Sequence, residues 1–223
     1  MFSRQILDFL SELKENNNRE WFQANKEKYE SARLCFEDFV NVMIPRITKF
    51  DPKISNITAK DCMFRIYKDV RFSKDKLPYK TNFGAFMARG GRKGPFAGYY
   101  LHIEPGASLL AGGIYMPMPE VLKAVRNEIF ENTDEFLAII NNKLFKKYFS
   151  EIDGEKLKSA PRDYPKEFPF IDLLKYKSYC TVYMLSDNDL LKSSFQDDAL
   201  KIFAAMLPFN NYFNKIIAEL FSS

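Results

Sequence analysis

His102 is the single histidine of the 223-residue sequence, and Glu104 follows two positions later. On a strand, that i, i+2 spacing puts the imidazole and the carboxylate on one face. Such a pair is suited to proton transfer, because the carboxylate orients the ring and stabilises its charged form. Asp69 is a second carboxylate candidate for the same work. The sequence carries no accompanying nucleophile motif and no second histidine, so a hydrogen-bonded structural histidine is the favoured reading of the pair. Cys35, Cys62 and Cys180 are far apart and share no metal-ligand spacing, which argues against a structural zinc site and against a disulfide framework. Neither a metal nor a cofactor is expected.

The second concentration of chemistry is a basic run. Between Lys60 and Lys93 there are ten Lys or Arg and three Asp, a local charge of +7, whereas the whole chain carries +4 and everything outside the run therefore sums to −3. Arg65, Lys68, Arg71, Lys74, Lys76 and Lys80 are interleaved with Tyr67, Phe72 and Tyr79. Guanidinium forks, mobile ammonium groups and flat rings together suit a phosphate-bearing ligand, a nucleotide or single-stranded nucleic acid. Asp69 and Asp75 offer a competing use for these charges, an internal ion-pair network in a solvated loop. The Gly90–Pro95 stretch lacks the Gly-Lys-Ser/Thr ending of a phosphate-binding P-loop. It reads as a hairpin turn joining two strands, a context different from the helix-joining Gly-X-X-Gly loop of KH domains.

These residues need a sheet to hold them. Hydrophobic content of 46% and charged content of 28% describe a folded globular chain, and 22 Phe and 12 Tyr against one Trp favour strands and half-buried faces. Two N-terminal helices within residues 3–49 come first. Ser3 is positioned to cap one with Ile6, Leu10 and Leu13 inward, and the other runs from about Arg19 toward Pro45, where proline should kink or end it. Five strands are expected at about 62–69, 82–88, 97–104, 108–115 and 178–185, the second to fourth as an antiparallel meander. Residues 118–223 are the helical remainder apart from the last strand, with helices at 118–131, 134–141 and near 143–149. A final stretch is expected to break at Pro208 into 189–207 and 211–221. The fold class is thus α+β, one domain with helices packed on a mainly antiparallel sheet.

Alternation gives each strand two faces. Tyr99, Leu101 and Ile103, with Cys180, Val182 and Met184, are expected to pack on the helices. Arg65, Tyr67, Asp69, Tyr100, His102, Glu104, Tyr179 and Tyr183 are expected on the opposite, aromatic and polar face.

Four blocks carry a resemblance: Asn16-Asn-Asn-Arg-Glu-Trp-Phe22, Arg65 through Lys80, Gly98-Tyr-Tyr-Leu-His-Ile-Glu-Pro105 and Gly112-Gly-Ile-Tyr-Met-Pro117. Together they resemble the bacterial and fungal family catalogued as domain of unknown function 2461. The resemblance implies one α+β domain and no established activity, cofactor or catalytic residue. Three functions stay open. The first is a binding module for a phosphate-bearing ligand or nucleic acid, with Arg65, Tyr67, Lys68, Arg71, Lys74, Lys76, Tyr79, Lys80 and Tyr100 as contacts. The second is an enzyme for a small anionic substrate, using His102, Glu104 or Asp69. The third is a structural or interaction protein. Asp8 and Glu12 interrupt any signal-like apolar core, and no run approaches the roughly 18 apolar residues of a membrane span. A cytoplasmic location without membrane contact is expected.

Overall fold

The computed structural model describes residues 2–69 and 76–222. Helix α1 (Arg4–Glu15) buries Ile6, Leu10 and Leu13 at helical spacing together with Leu7 and Phe9. Asn18 caps α2 (Arg19–Ala24) by accepting the Trp21 N–H. A short break at Asn25 leads into α3 (Lys26–Thr48), whose buried stripe runs through Tyr29, Ala32, Phe36, Phe39, Val40, Met43 and Ile47. The long second helix expected from sequence is therefore two helices. Pro45 does not end the second of them. Three residues of helix follow the proline, and Ile44 and Ile47 on either side of it are buried in the core.

The sheet has four strands, β1 (Phe83–Ala88), β2 (Gly98–Ile103), β3 (Ser108–Ile114) and β4 (Tyr179–Leu185), antiparallel throughout in the order β1-β2-β3-β4. The meander of β1 to β3 is as expected, whereas the anticipated first strand at 62–69 does not form. That segment begins as the end of a helical turn, α4 (Ala59–Cys62), whose N-terminus is fixed by a capping box between Thr58 and Asp61. It continues as an extended arm making only isolated bridges, Met63 with Ala85 and Tyr67 with Tyr79.

Register assigns the faces. Met87, Tyr99, Gly112 and Thr181 line up across the sheet, as do Ala85, Leu101, Leu110 and Tyr183. This side is covered by the helices, above all α10 (Phe195–Leu220). A Cβ on Gly112 would fall 2.8 Å from Met206 Sδ, so glycine is what lets α10 approach β3. Asn214 of α10 accepts the Ala97 N–H at 2.8 Å and donates to the Ala97 carbonyl at 3.2 Å, and Asn210 donates to the Gly98 carbonyl at 3.0 Å. Two buried amides thereby tie the start of β2 to the helix. α10 runs unbroken through Pro208, contrary to the break expected there, with Met206, Phe209, Asn210 and Phe213 buried on both sides of it.

β4 is turned over relative to expectation. Tyr179, Thr181 and Leu185 are buried on the covered side, while Met184 is exposed on the other. Tyr179 tolerates this burial because its hydroxyl donates to the Leu173 carbonyl at 2.8 Å. Tyr179 and Tyr183 therefore do not share a face with Tyr100 and His102. Helices α5 (Pro119–Glu131), α6 (Thr133–Ile140), α7 (Lys143–Tyr148), α8 (Ile171–Leu174) and α9 (Asp187–Leu191) complete the chain. No helix of the described residues is long and apolar enough to cross a membrane.

Candidate functional site

The open sheet face carries a chain of hydrogen-bonded side chains. The Tyr100 hydroxyl lies 3.0 Å from His102 Nδ1, and the Asn82 amide nitrogen lies 3.3 Å from the same atom. On the other side of the ring, His102 Nε2 is 3.1 Å from Glu104 Oε2, and Thr81 Oγ1 donates to Glu104 Oε1 at 2.7 Å. A neutral imidazole with its hydrogen on Nε2 satisfies every contact: Nε2–H donates to the carboxylate while Nδ1 accepts. Burial raises the Glu104 carboxyl, but the hydrogen bonds from Thr81 and His102 and the nearby charges outweigh it, holding the group below its ordinary range. The Tyr100 phenol is pushed up to about 12, first by burial and then by the Glu104 and Tyr115 charges.

Space for this arrangement comes from Gly84, the residue opposite His102 on β1. A Cβ there would meet the Tyr100 hydroxyl at 2.7 Å, so the phenol lies across the glycine. Phe64 packs its ring against the edge of Tyr100, with centroids 6.1 Å apart, and its N–H bonds the Gly84 carbonyl.

Beyond Phe64 the arm and its return limb make a two-stranded ribbon. Lys68 N–H donates to the Pro78 carbonyl at 2.9 Å and Lys80 N–H to the Ile66 carbonyl at 2.8 Å. The ribbon is fastened from below by α1 and α2. Asn17, in the turn between them, donates to the Tyr79 carbonyl and accepts the Tyr79 N–H, imitating a strand partner. Phe22 stacks on the Tyr79 ring with centroids 3.9 Å apart and planes 13° apart.

This sorts the residues expected to bind a ligand. Tyr79 is buried and its ring is taken by Phe22, so it is part of the anchor. Tyr67 is half exposed above it. Lys68, Asp69 and Lys76 each have interactions of their own. Arg71 and Lys74 lie outside the described residues. Arg65 is exposed and Lys80 half-buried, and among the described residues neither pairs with a carboxylate. Lys80 Nζ sits 5.6 Å from the centre of the Phe64 ring. Burial and then the charge of Arg65 lower the Lys80 ammonium below its ordinary range. Of the remaining cations in the basic run, Arg89 lies over Phe96, and Arg92 donates to the Lys60 and Asp61 carbonyls.

Sequence reasoning missed Phe64, Thr81, Asn82 and Gly84. Thr81 and Asn82 stand just before β1 where the ribbon enters the sheet, and only the register shows that this point abuts His102 and Glu104. Two cavities, of about 330 and 220 Å³, are lined by other parts of the chain, one by α3 and residues 55–58, the other by α7, β4, α9 and α10.

Fold and site together define an α+β protein with an antiparallel four-stranded sheet, helices on one side, and on the other a Tyr–His–Glu chain next to a basic, aromatic ribbon. Residues 5–212 match the family of conserved hypothetical proteins designated DUF2461, and the chain belongs to that family. Comparison with curated proteins and with solved structures finds no match.

Proposed function

We propose that the protein binds a phosphate-bearing ligand, a nucleotide either free or within a single strand, along the ribbon and the open sheet face. The observation that carries this reading is the Arg65–Lys80 pair. Lys80 Nζ sits over the ring of Phe64, the chain neighbour of the exposed Arg65; burial and then the Arg65 charge lower the Lys80 ammonium, and neither cation has a carboxylate partner among the described residues. Like charges placed together at a partly desolvated position cost stability unless an anion joins them. A phosphate bridging the pair would offset the repulsion and favour the charged form of Lys80. Phe64 and Tyr67, 40% and 50% exposed, offer ring faces beside the cations for a base. Arg71 and Lys74 belong to the same reading as sequence-level candidates. Three free cysteines fit a cytoplasmic setting for this activity.

Titration of fluorescently labelled ATP, and separately of a labelled single-stranded oligonucleotide, over a range of salt concentrations tests the reading. Affinity should fall steeply with salt. Lys80→Met, which keeps the aliphatic stem and removes the charge, should weaken binding and make the oligonucleotide salt slope shallower by about 0.7. Tighter binding of the oligonucleotide assigns the face to a strand; equal binding of ATP assigns it to a single nucleotide. Salt-insensitive binding, or none, would sink the reading.

A further inference from the structure

We propose that Tyr100 is a catalytic residue: its hydroxyl, backed by His102 and Glu104, draws the proton from a water that attacks a phosphate ester held by Arg65 and Lys80. This rests on the binding reading above and adds a reaction to it. The argument begins with direction. Nδ1 of His102 is the only nitrogen of the ring free to accept, because Nε2–H is committed to Glu104 at 3.1 Å. Tyr100 therefore donates inward at 3.0 Å, which leaves its oxygen lone pairs facing away from the ring. A water bonded to that oxygen can pass its proton to Tyr100 as Tyr100 passes its own to Nδ1. Phosphorus gains the hydroxide oxygen, the P–O bond to the leaving group breaks on the opposite side, the leaving oxygen takes a proton from solvent water, and the imidazolium returns its own to solvent through Tyr100. No oxidant, reductant or metal enters the balance.

The surroundings suit the charge that forms. The imidazolium would lie between Glu104, already fixed by Thr81, and the neutral Asn82 and Tyr100. Among the described residues, the other charged or titratable groups acting on these side chains are Lys14 of α1, which acts on Glu104, and Tyr115 just past β3, which acts on Tyr100. Phe64 links the two parts of the site, its ring against Tyr100 at 6.1 Å and under Lys80 Nζ at 5.6 Å. The high basicity of a phenolate at this position, with the phenol at about 12, disfavours a standing phenolate and fits a hydroxyl that relays a proton. In this scheme His102 and Glu104 are positioning residues acting through Tyr100.

The test measures hydrolysis of bis(4-nitrophenyl) phosphate, 4-nitrophenyl phosphate and a short single-stranded oligonucleotide across pH, with labelled-ATP binding measured on the same preparations. Wild type should turn over at least one ester. Tyr100→Phe should lower that rate, measured at saturating ester, about 100-fold or more. Gly84→Ala, whose Cβ displaces the Tyr100 hydroxyl without removing any reacting group, should do the same. Glu104→Gln, which keeps the shape and removes the carboxylate that accepts from Nε2–H, should lower kcat at saturating substrate with KM little changed, a split that a merely structural role would not produce. Lys80-dependent ATP binding with no ester hydrolysed, or with Tyr100→Phe as fast as wild type, overturns the catalytic assignment and leaves the binding reading standing. Absence of binding by both labelled ATP and the labelled oligonucleotide removes both.

Discussion

Glu104 is the residue whose environment departs most informatively from what its type alone would give. Its carboxylate accepts from Thr81 and from His102, and these bonds outweigh burial to hold its pKa below the ordinary value. A carboxyl with a depressed folded-state pKa contributes stability above its unfolded value, about 4.3, and loses that contribution as pH falls through the folded value. Glu104→Gln keeps the shape and removes the titration. The urea midpoint of wild type should therefore fall more steeply than that of E104Q between neutral pH and about 3, the two curves converging at the acid end. Parallel curves would mean that Glu104 is not held in its ionised form by these partners. The His102–Glu104 pairing was legible in the sequence because i, i+2 spacing on a strand determines the face by itself. Its outer partners were not: Thr81 and Asn82 reach it through the β1–β2 register, which no local pattern encodes.

At the scale of elements, the turn between α1 and α2 and the basic ribbon form one unit. The Asn17 amide meets both backbone groups of Tyr79, so Asn17→Ala leaves a part-buried N–H and C=O without partners, at a cost of about 1–3 kcal/mol. The expected result is a lower melting temperature together with faster amide exchange at Tyr79, while exchange in β2 and β3 changes only as much as global stability does. Unchanged exchange at Tyr79 would show that stacking by Phe22 alone holds the ribbon. Two of the four blocks by which the sequence is recognised, 16–22 and 65–80, meet at this contact. The elements whose hydrophobic period is long and regular, α1, α5 and the β1–β3 meander, were readable from sequence. The segment 62–69 alternates like a strand, but it leaves the sheet edge after Met63 and Phe64 and pairs instead with its own return limb. β4 misled for a different reason. Cys180, Val182 and Met184 are the more hydrophobic set by residue type, yet the register with β3 and the polar anchor for the Tyr179 hydroxyl select the other side.

For the whole molecule, the question is whether the site-bearing N-terminal part can loosen independently of the rest. The packing argues against it. Phe2 of the N-terminal segment and Phe39 of α3 both pack on Phe195 at the start of α10, and Arg46 of α3 pairs with Asp197. Asp51, just past α3, accepts from the buried Tyr99 hydroxyl at 2.9 Å, and Asn214 holds the start of β2 from the far end of the chain. One continuous core cluster runs from Phe2 to Ile217, so no plane divides the protein without exposing buried aromatic surface. Trp21, the single tryptophan, sits in α2 against Phe9 and reports on the ribbon anchor, whereas far-UV circular dichroism reports on all the helices. Urea unfolding followed by the two signals should give coincident midpoints and slopes, the signature of one cooperative unit. Phe22→Ala, which truncates a buried ring and loses its stack on Tyr79 at a total cost of about 3–5 kcal/mol, should move both transitions together. An early fluorescence transition in that variant, with helicity retained, would mean that the anchor and its ribbon form a separately opening unit. The site would then be assembled on a locally labile element, and ligand binding would have to supply the free energy that orders it.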